Sequence, residues 1–526
     1  MHPTPTLKAS SASSALLLTC GALGTFHLAF LFPAFWWLVL VHLGCLFELR
    51  RLSTARAAFY VGLVTGLGVF GPQMGFLWEI FKGAAIPLWL VLALFYAAFL
   101  LLLNRVESRW GTFRAGLLMP VLWCGIEYLR SEVWWLRFAW FTAGECLPPE
   151  LTPRVLYRLG IYGLGFGLAW AAGQGATWVF ATRRNDRMRA GLGFLAACMG
   201  FAALALWPLP RSNRDIPKTI QVAGLQLEFP SLPDILAGLD ALIRSHPEAE
   251  LLMLSEYSLE EPPPKALKAW CRRNGKWLVV GGKQPIGSGD SDGLGSTPSA
   301  SSHTNAAVVG QVAAGNGLRW PRSGAPKERF HNTAFVISPN GAVVFQQAKS
   351  RPIQFFADGE PAPSQAVWDS PWGKLGIAIC YDASYRQVMD PLIRLGATGL
   401  LIPTMDVEHW GEHEHRLNAR MAVIRAAEYR VPIFRVASSG ISQIINPNGH
   451  ETATAPFPGP GHALAGPLTL AVPGPSVPLD AWLAPACTGA TAAVILWLAI
   501  ASRRKTQTSN TAQDSRPASP ALDSSL

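Results

Sequence analysis

A bundle of about eight membrane-spanning helices joined to an α/β domain is the fold class that this sequence predicts, and three observations carry it. Half of the 526 residues are hydrophobic, only 15% are charged and the mean hydropathy is +0.23, whereas ordinary soluble chains carry about 25% charged residues. Residues 1–208 are a series of long apolar stretches, and one more stands at 481–501. Between 209 and 480 the pattern changes to short apolar runs separated by helical ones. The same composition excludes a wholly disordered chain. Eight cysteines over this length are no disulfide framework.

The apolar stretches run over 14–30, 32–48, 57–78, 85–103, 115–130, 157–181, 190–208 and 481–501. A spanning helix needs about 20 apolar residues, and most of these qualify. Buried helices of a soluble protein would show polar faces, and AIPLWLVLALFYAAFLLLL at 85–103 shows none. The first stretch continues through Pro33 into the second without a convincing cleavage site, so a signal peptide is not expected. With the N-terminus in the cytoplasm, the cytoplasmic segments are 1–12, 48–56, 104–114, 183–189 and 502–526. They hold fifteen Lys and Arg against five Asp and Glu, an excess equal to the whole formal charge of +10. The positive-inside rule is met at every turn. The basic charge thus reports topology, and no nucleic-acid partner is expected.

This threading puts 209–480 on the outer side of the membrane. TIQVAGLQ, LLMLS, WLVVGG, KLGIAIC, TGLLIP, PIFRVAS and GISQII read as strands, with amphipathic helices at 234–246, 264–274, 384–395 and 413–430. Pro-Asn-Gly at 339–341 and 447–449 predicts two hairpins. Residues 286–329, rich in Gly, Ser, Pro and Ala, read as a flexible insertion. The segment 502–526 reads as a cytoplasmic tail, disordered from Thr506 on.

Ligands of open α/β sheets gather beyond the carboxyl ends of strands. Glu256 follows LLMLS, Lys349 follows AVVFQQA and Cys380 closes KLGIAIC. A carboxylate to take a thiol proton, an amine to balance an oxyanion and a thiol to attack are what acyl chemistry through a thioester requires. Each residue alone has an ordinary structural reading: a small core thiol, a solvated lysine, an acid at a helix N-terminus.

Their surroundings decide between these readings. GIAICYD at 376–382, RLGATGLLIP at 394–403, RMAVIRAAEYRVPIFRVASSGIS at 420–442 and Asn332-Thr-Ala-Phe-Val-Ile-Ser-Pro-Asn-Gly341 resemble the nitrilase (carbon–nitrogen hydrolase) superfamily over about 219–455. The resemblance implies an αββα sandwich with Glu256 as general base, Lys349 as oxyanion stabiliser and Cys380 as nucleophile, without cofactor or metal. Pro120-Val-Leu-Trp123 with Glu127 and Arg130, then Phe138-Ala-Trp140 and Gly144, is similar to the membrane half of the apolipoprotein N-acyltransferase family. That likeness implies a bacterial inner-membrane enzyme with a periplasmic catalytic domain. It would move an acyl chain from a phospholipid through a Cys380 thioester to an amine, the N-terminal cysteine of a lipoprotein. The alternative is a membrane-tethered amidase or nitrilase with the same triad.

The sequence departs from that family in places. Only thirty residues separate Lys349 from Cys380, so Asp358 or Glu360 is left to serve as the family's second glutamate. Cys380-Tyr381-Asp382 stands where the family has Cys-Tyr-Glu. Phe355, Phe356 and Trp410 sit on loops beside the site and read either as pocket lining or as membrane contacts. Glu79, Glu127 and Arg130 fall near the outer membrane face, where Glu127 and Arg130 could form an i,i+3 pair or serve function. His409, His413 and His415 with Glu408 and Glu412 fit no defined ligand spacing, and no metal is expected. Cys271 reads as a packing residue, and no disulfide to Cys380 is expected.

Overall fold

The computed structural model describes residues 12–150, 152–209, 217–286, 329–459, 461–471 and 476–514. The amino-terminal part is helical throughout: α1 (Ala12–Leu31), α2 (Leu38–Leu49), α3 (Ala55–Gln73), α4 (Phe76–Phe81), α5 (Ala85–Trp110), α6 (Thr112–Tyr128), α7 (Pro153–Phe180) and α8 (Arg184–Leu206). Each apolar stretch up to residue 208 coincides with one of these helices or with α3 and α4 together. Among the described residues, five helical segments are long and apolar enough to cross a membrane: Ala12–Leu31, Phe76–Trp110, Pro153–Phe180, Arg184–Leu206 and Asp480–Ala501. At twelve residues α2 is too short to cross unaided, because Pro33 diverts the chain into a 3₁₀ turn before it.

One helix of the bundle is broken at a glycine. Gly160 sits at φ +72° inside α7, and the amides of Ile161 and Tyr162 just beyond it lack helical partners. They donate instead to Glu428 Oε1 at 2.8 Å and Asp480 Oδ2 at 3.0 Å. A Cβ on Gly160 would lie about 2 Å from the Asp480 carboxylate, so only glycine fits.

The remainder alternates strands and helices: β1 (Thr219–Leu225), α9 (Leu232–Ser245), β2 (Leu251–Leu254), α10 (Lys265–Asn274), β3 (Trp277–Pro285), β4 (Phe330–Ile337), β5 (Val343–Ala348), β6 (Val367–Ser370), β7 (Gly373–Ile377), α11 (Arg386–Arg394), β8 (Gly399–Thr404), α12 (Glu412–Tyr429), β9 (Ile433–Ala437), β10 (Ser442–Ile445), β11 (Glu451–Ala455), β12 (Ala463–Thr469) and α13 (Asp480–Asp514). They form two six-stranded sheets, in the orders β12-β1-β2-β3-β4-β5 and β11-β10-β9-β8-β7-β6. Both sheets have three parallel strands at their centre, β1-β2-β3 and β7-β8-β9, flanked by antiparallel ones.

The side-chain period of two builds the layers. In β2, Leu251 and Met253 enter the core between the sheets, while Leu252 and Leu254 face α9 and α10. In β9, Phe434 and Val436 enter that same core, and Ile433 faces α11 and α12. The result is the expected αββα sandwich. Cys271, on α10, packs between that helix and the first sheet, and Cys380 lies in the inter-sheet core, so the two thiols belong to different layers. Both Pro-Asn-Gly turns join hairpin strands, β4 to β5 and β10 to β11.

Three readings need revision or fall elsewhere. The helix expected to be amphipathic at 413–430 is α12; Glu412 and Arg416 on its first turns are exposed, but from Met421 to Tyr429 it is buried on all sides. Ala422, Val423 and Ala426 pack against the sandwich, while Met421, Ile424 and Ala427 pack against the membrane bundle. The sequence predicts disorder from Thr506, yet α13 continues to Asp514; no Gly or Pro stands between Gly489 and Pro517. Of the insertion 286–329, only Ile286 and Arg329 are described residues; their backbones meet at 2.9 Å.

Candidate active site

Three strand ends converge above the inter-sheet core. Glu256 leaves β2, Lys349 leaves β5 and Cys380 leaves β7, and all three are buried. Lys349 Nζ lies 2.8 Å from Glu256 Oε1 and 2.8 Å from Asp358 Oδ2. Glu256 Oε1 also accepts from Asn332 Nδ2 at 2.5 Å, and its Oε2 accepts from the Met405 amide at 2.9 Å. Asn332 donates a further bond to Asp358 Oδ1 at 2.8 Å, which also accepts from the Tyr257 hydroxyl at 2.9 Å. The cluster therefore holds two carboxylates around one ammonium, each tied in place by neutral donors.

Cys380 adopts φ +53°, a left-handed conformation that is strained for a side chain with a Cβ, at the point where the strand turns into a 3₁₀ helix. Its Sγ lies 3.8 Å from the Met405 carbonyl and 3.9 Å from Asn418 Nδ2. Burial and the Glu256 carboxylate push the thiol well above its usual pKa, against the pull of Lys349. Burial also raises Glu256, with Asp358 adding to it and Lys349 opposing. For Lys349, burial works against the charged form, but Asp358 and Glu256 together hold its pKa well above the usual lysine value. The resting site is thus a neutral thiol beside a charged lysine and a carboxylate of raised basicity. Such a carboxylate suits proton abstraction near neutral pH.

The supporting candidates separate clearly. Asp358 sits inside the cluster, whereas Glu360 lies at the surface paired with Arg329. Between them Gly359 stands at φ +80°, where a Cβ would meet the Phe330 carbonyl at 2.8 Å, and this turn sends the two acids to opposite sides. Asp382 is a clamp: its carboxylate accepts from the amides of Ile379, Ser350 and Arg351, joining the Cys380 turn to the loop after Lys349. Burial pushes it up to about 6, against Lys349 and those amides. The Tyr381 hydroxyl accepts from the Ala139 amide at 3.3 Å, and its ring meets Trp140 edge-on at 5.4 Å.

Glu127 and Arg130 do not hold each other as an i,i+3 pair; both brace the loop after α6. Glu127 Oε1 accepts from the Ala143 amide at 2.8 Å, and Arg130 donates to the Trp140 carbonyl at 2.9 Å. Glu79 pairs with Lys82 at the surface. The histidines do not converge: His413 bonds the Gln73 carbonyl and His415 the Val407 carbonyl, while His409 lies against Trp410. Asp406, Glu414 and His415 do approach one another, but the Arg435 guanidinium already binds Asp406 at 2.6 Å.

A cavity of about 340 Å³ opens over Cys380, and its far wall comes from the bundle: Phe76, Leu77, Ile80 and Phe81 around α4, Leu88 and Leu92 on α5. Phe355, Phe356 and Trp410 line it, and Phe356 touches both Phe81 at 5.4 Å and Trp410 at 5.9 Å. Sequence reasoning missed Asn418, Glu414 and Tyr257 altogether. Asn332 stood in a quoted motif but was given no role.

Residues 21–174 match the family model of the apolipoprotein N-acyltransferase N-terminal domain, and residues 300–459 that of carbon–nitrogen hydrolase. Glu256 lies ahead of the second match; Lys349 and Cys380 lie within it. Apolipoprotein N-acyltransferase of Geobacter metallireducens is 23% identical over 449 residues, covering 76% of this chain and 79% of that one. The enzyme of that name from Ralstonia nicotianae is 24% identical, covering 82% and 84%. Deaminated glutathione amidase of Dictyostelium discoideum is 30% identical over 142 residues, 24% of this chain and 49% of that one. Among solved structures, Nit3 of Saccharomyces cerevisiae, a member of the nitrilase superfamily, aligns with TM-score 0.36 and 18% identity over 48% of this chain and 90% of that one. The chain is thus an apolipoprotein N-acyltransferase-like protein carrying a carbon–nitrogen hydrolase domain.

Proposed function

We propose that this chain is a membrane N-acyltransferase that moves an acyl chain from a phospholipid, through a thioester on Cys380, to the N-terminal amine of a lipoprotein. The observation that carries the proposal is the shared cavity, with Cys380 on one wall and the apolar side chains of α4 and α5 on the other. A hydrolase of small soluble amides has no use for a membrane wall. The likeness to acyltransferases over about three quarters of the chain, against a likeness to amidases over about a quarter of it, favours the same reading.

Glu256 takes the Cys380 thiol proton as the sulfur attacks the ester carbonyl. Lys349 balances the oxyanion of the tetrahedral intermediate. The ester C–O bond breaks, the glyceryl oxygen receives the proton from Glu256, and the thioester remains. In the second half an amine attacks the thioester and the thiol is restored. Asp358 supports this by holding Lys349 against Glu256, while Tyr381 and Trp410 line the path of the acyl chain.

The chain divides into a transmembrane bundle (1–208), an outward-facing catalytic domain (209–480) and a closing span (481–501) ahead of a cytoplasmic tail. About eight helices span the membrane. The charge bias of the loops supports a sandwich on the outer, periplasmic side, and the likeness to bacterial acyltransferases supports a bacterial inner membrane.

The test is intact-mass analysis of the purified protein with phospholipid vesicles. An acyl adduct on Cys380, discharged by a lipopeptide amine, is the expected result. Hydrolysis without transfer to any amine would turn the reading to the tethered amidase.

A further inference from the structure

The two half-reactions of this transfer differ in their protons, and the cavity differs accordingly. Thiol plus ester gives thioester plus alcohol with no net proton, so Glu256 alone suffices. Thioester plus an ammonium gives amide, thiol and one proton for solvent. An α-ammonium, with pKa of about 8, has no lone pair at neutral pH until something removes that proton. The second half-reaction therefore asks for another acid–base group on the acceptor side of Cys380.

Among the described residues lining the cavity, Glu414 is the only acid. It stands on the first turn of α12, four residues before Asn418, so the two side chains share one helix face. Asn418 Nδ2 is the amide 3.9 Å from Cys380 Sγ. Glu414 is 4% exposed, and its Oε2 has no hydrogen-bond partner among the described residues. A buried carboxylate oxygen left without a donor is costly unless a ligand supplies one. Its charged neighbours are Asp406, after β8, and Arg435, on β9, whose guanidinium is committed to Asp406. His415 beside it on α12 is bonded to the Val407 carbonyl, and Arg137 and Arg351 face the cavity from other segments. Burial, reinforced by Asp406 and opposed by Arg435, pushes Glu414 well above the usual carboxylate range.

We propose that Glu414 is the acceptor-side acid–base residue: it receives the ammonium of the incoming amine beside the Cys380 thioester and takes one of its protons. This rests on the acyltransferase reading. Any proton that Glu414 already carries is released to solvent when the ammonium docks. One N–H proton then passes to Oε2 and frees the lone pair. The nitrogen bonds to the thioester carbonyl carbon, a second N–H proton passes through Glu256 to the departing Cys380 sulfur, and the C–S bond breaks. Glu414 finally releases its proton to solvent.

Glu414→Gln in the full chain, in vesicles, separates the halves. The expected result is that the Cys380 adduct still accumulates, while transfer to a synthetic lipopeptide with a free N-terminal amine falls roughly 10²-fold at pH 7. The deficit should shrink as pH rises toward about 9, where the amine deprotonates unaided. Glu414→Asp, which keeps the charge, should retain more transfer than Gln. Undiminished transfer, equal loss of adduct and transfer, or a deficit that ignores pH would each overturn the proposal. If the unaltered protein itself forms no adduct, the acyltransferase reading fails at that separate measurement and the role of Glu414 falls with it.

Discussion

Cys380 stands between a polar wall behind it, outside the cavity lining, and an apolar wall that lines the cavity, and the two are built on opposite principles. On the sandwich side, Glu256, Lys349, Asp358 and Asn332 form a buried polar cluster whose charges are paired and hydrogen-bonded to one another. On the bundle side, Phe76, Phe81, Leu88 and Leu92 offer apolar surface with no directional bonds. The first wall owes its action to fixed positions and fails when one partner is removed. The second works through area and tolerates trimming. Perturbing one wall at a time should therefore give effects of different size and kind.

The largest effect is expected at the junction itself. Cys380→Ala should remove adduct and turnover by roughly 10⁴-fold or more, read by intact mass and product formation. Lys349→Met comes next, because it leaves Glu256 and Asp358 buried without their cation. It should cost about 3–5 kcal/mol of stability as well as activity, measured by thermal unfolding in detergent; an unchanged unfolding temperature would contradict the paired cluster. Asp358→Asn should lower turnover roughly 10²-fold, while Glu360→Gln, at the surface, should leave both stability and turnover unchanged. Equal effects from these two acids would erase the distinction drawn between them.

The pH profile tests the same wall. A base must be deprotonated to act, so adduct formation should climb about tenfold per pH unit below the Glu256 pKa, which lies above the ordinary carboxylate value. Lys349, held well above its usual value, should keep its charge, so no alkaline fall from it is expected below about pH 10. Rate against pH with a short soluble thioester-forming ester reads both limbs. The smallest effect belongs to the apolar wall. Phe81→Ala should lower kcat/KM for a two-chain phospholipid by about tenfold and leave a short soluble ester within about twofold. Equal losses on both substrates would mean that this wall does not hold lipid.

The polar wall was largely legible in the sequence because strand ends are legible. Runs such as LLMLS and KLGIAIC announce where a strand stops, and Glu256, Lys349 and Cys380 sit at those stops. The choice between Asp358 and Glu360 was not legible. Two acids two residues apart look equivalent until Gly359 at φ +80° turns one inward and the other out. Asn418 and Glu414 were hidden for another reason. An amphipathic helix betrays its inward face by its polar one, but α12 is packed between sandwich and bundle, and its buried Glu414, His415 and Asn418 are as polar as its exposed Glu412 and Arg416, so polarity does not mark its outer face. The apolar wall was hidden too, since the apolar residues of α4 and α5 all look equally lipid-facing in a chain this hydrophobic.

The broken α7 bears on how substrates reach the site. The amides freed at Gly160 are held by Glu428, from α12 of the sandwich, and by Asp480, where α13 begins. Asp480 also pairs with Arg386 of α11, and Glu428 with Arg425. Tilting the sandwich as a rigid body would uncap a helix in the interior and pull Asp480 away from Arg386. The joint behaves as a weld rather than a pivot. Lipid and acceptor must then be admitted by movement of thin parts, the loop carrying Phe355 and Phe356 and the one carrying Trp410, while the two large bodies stay still. The enzyme breathes at its lips, and its neck is stiff.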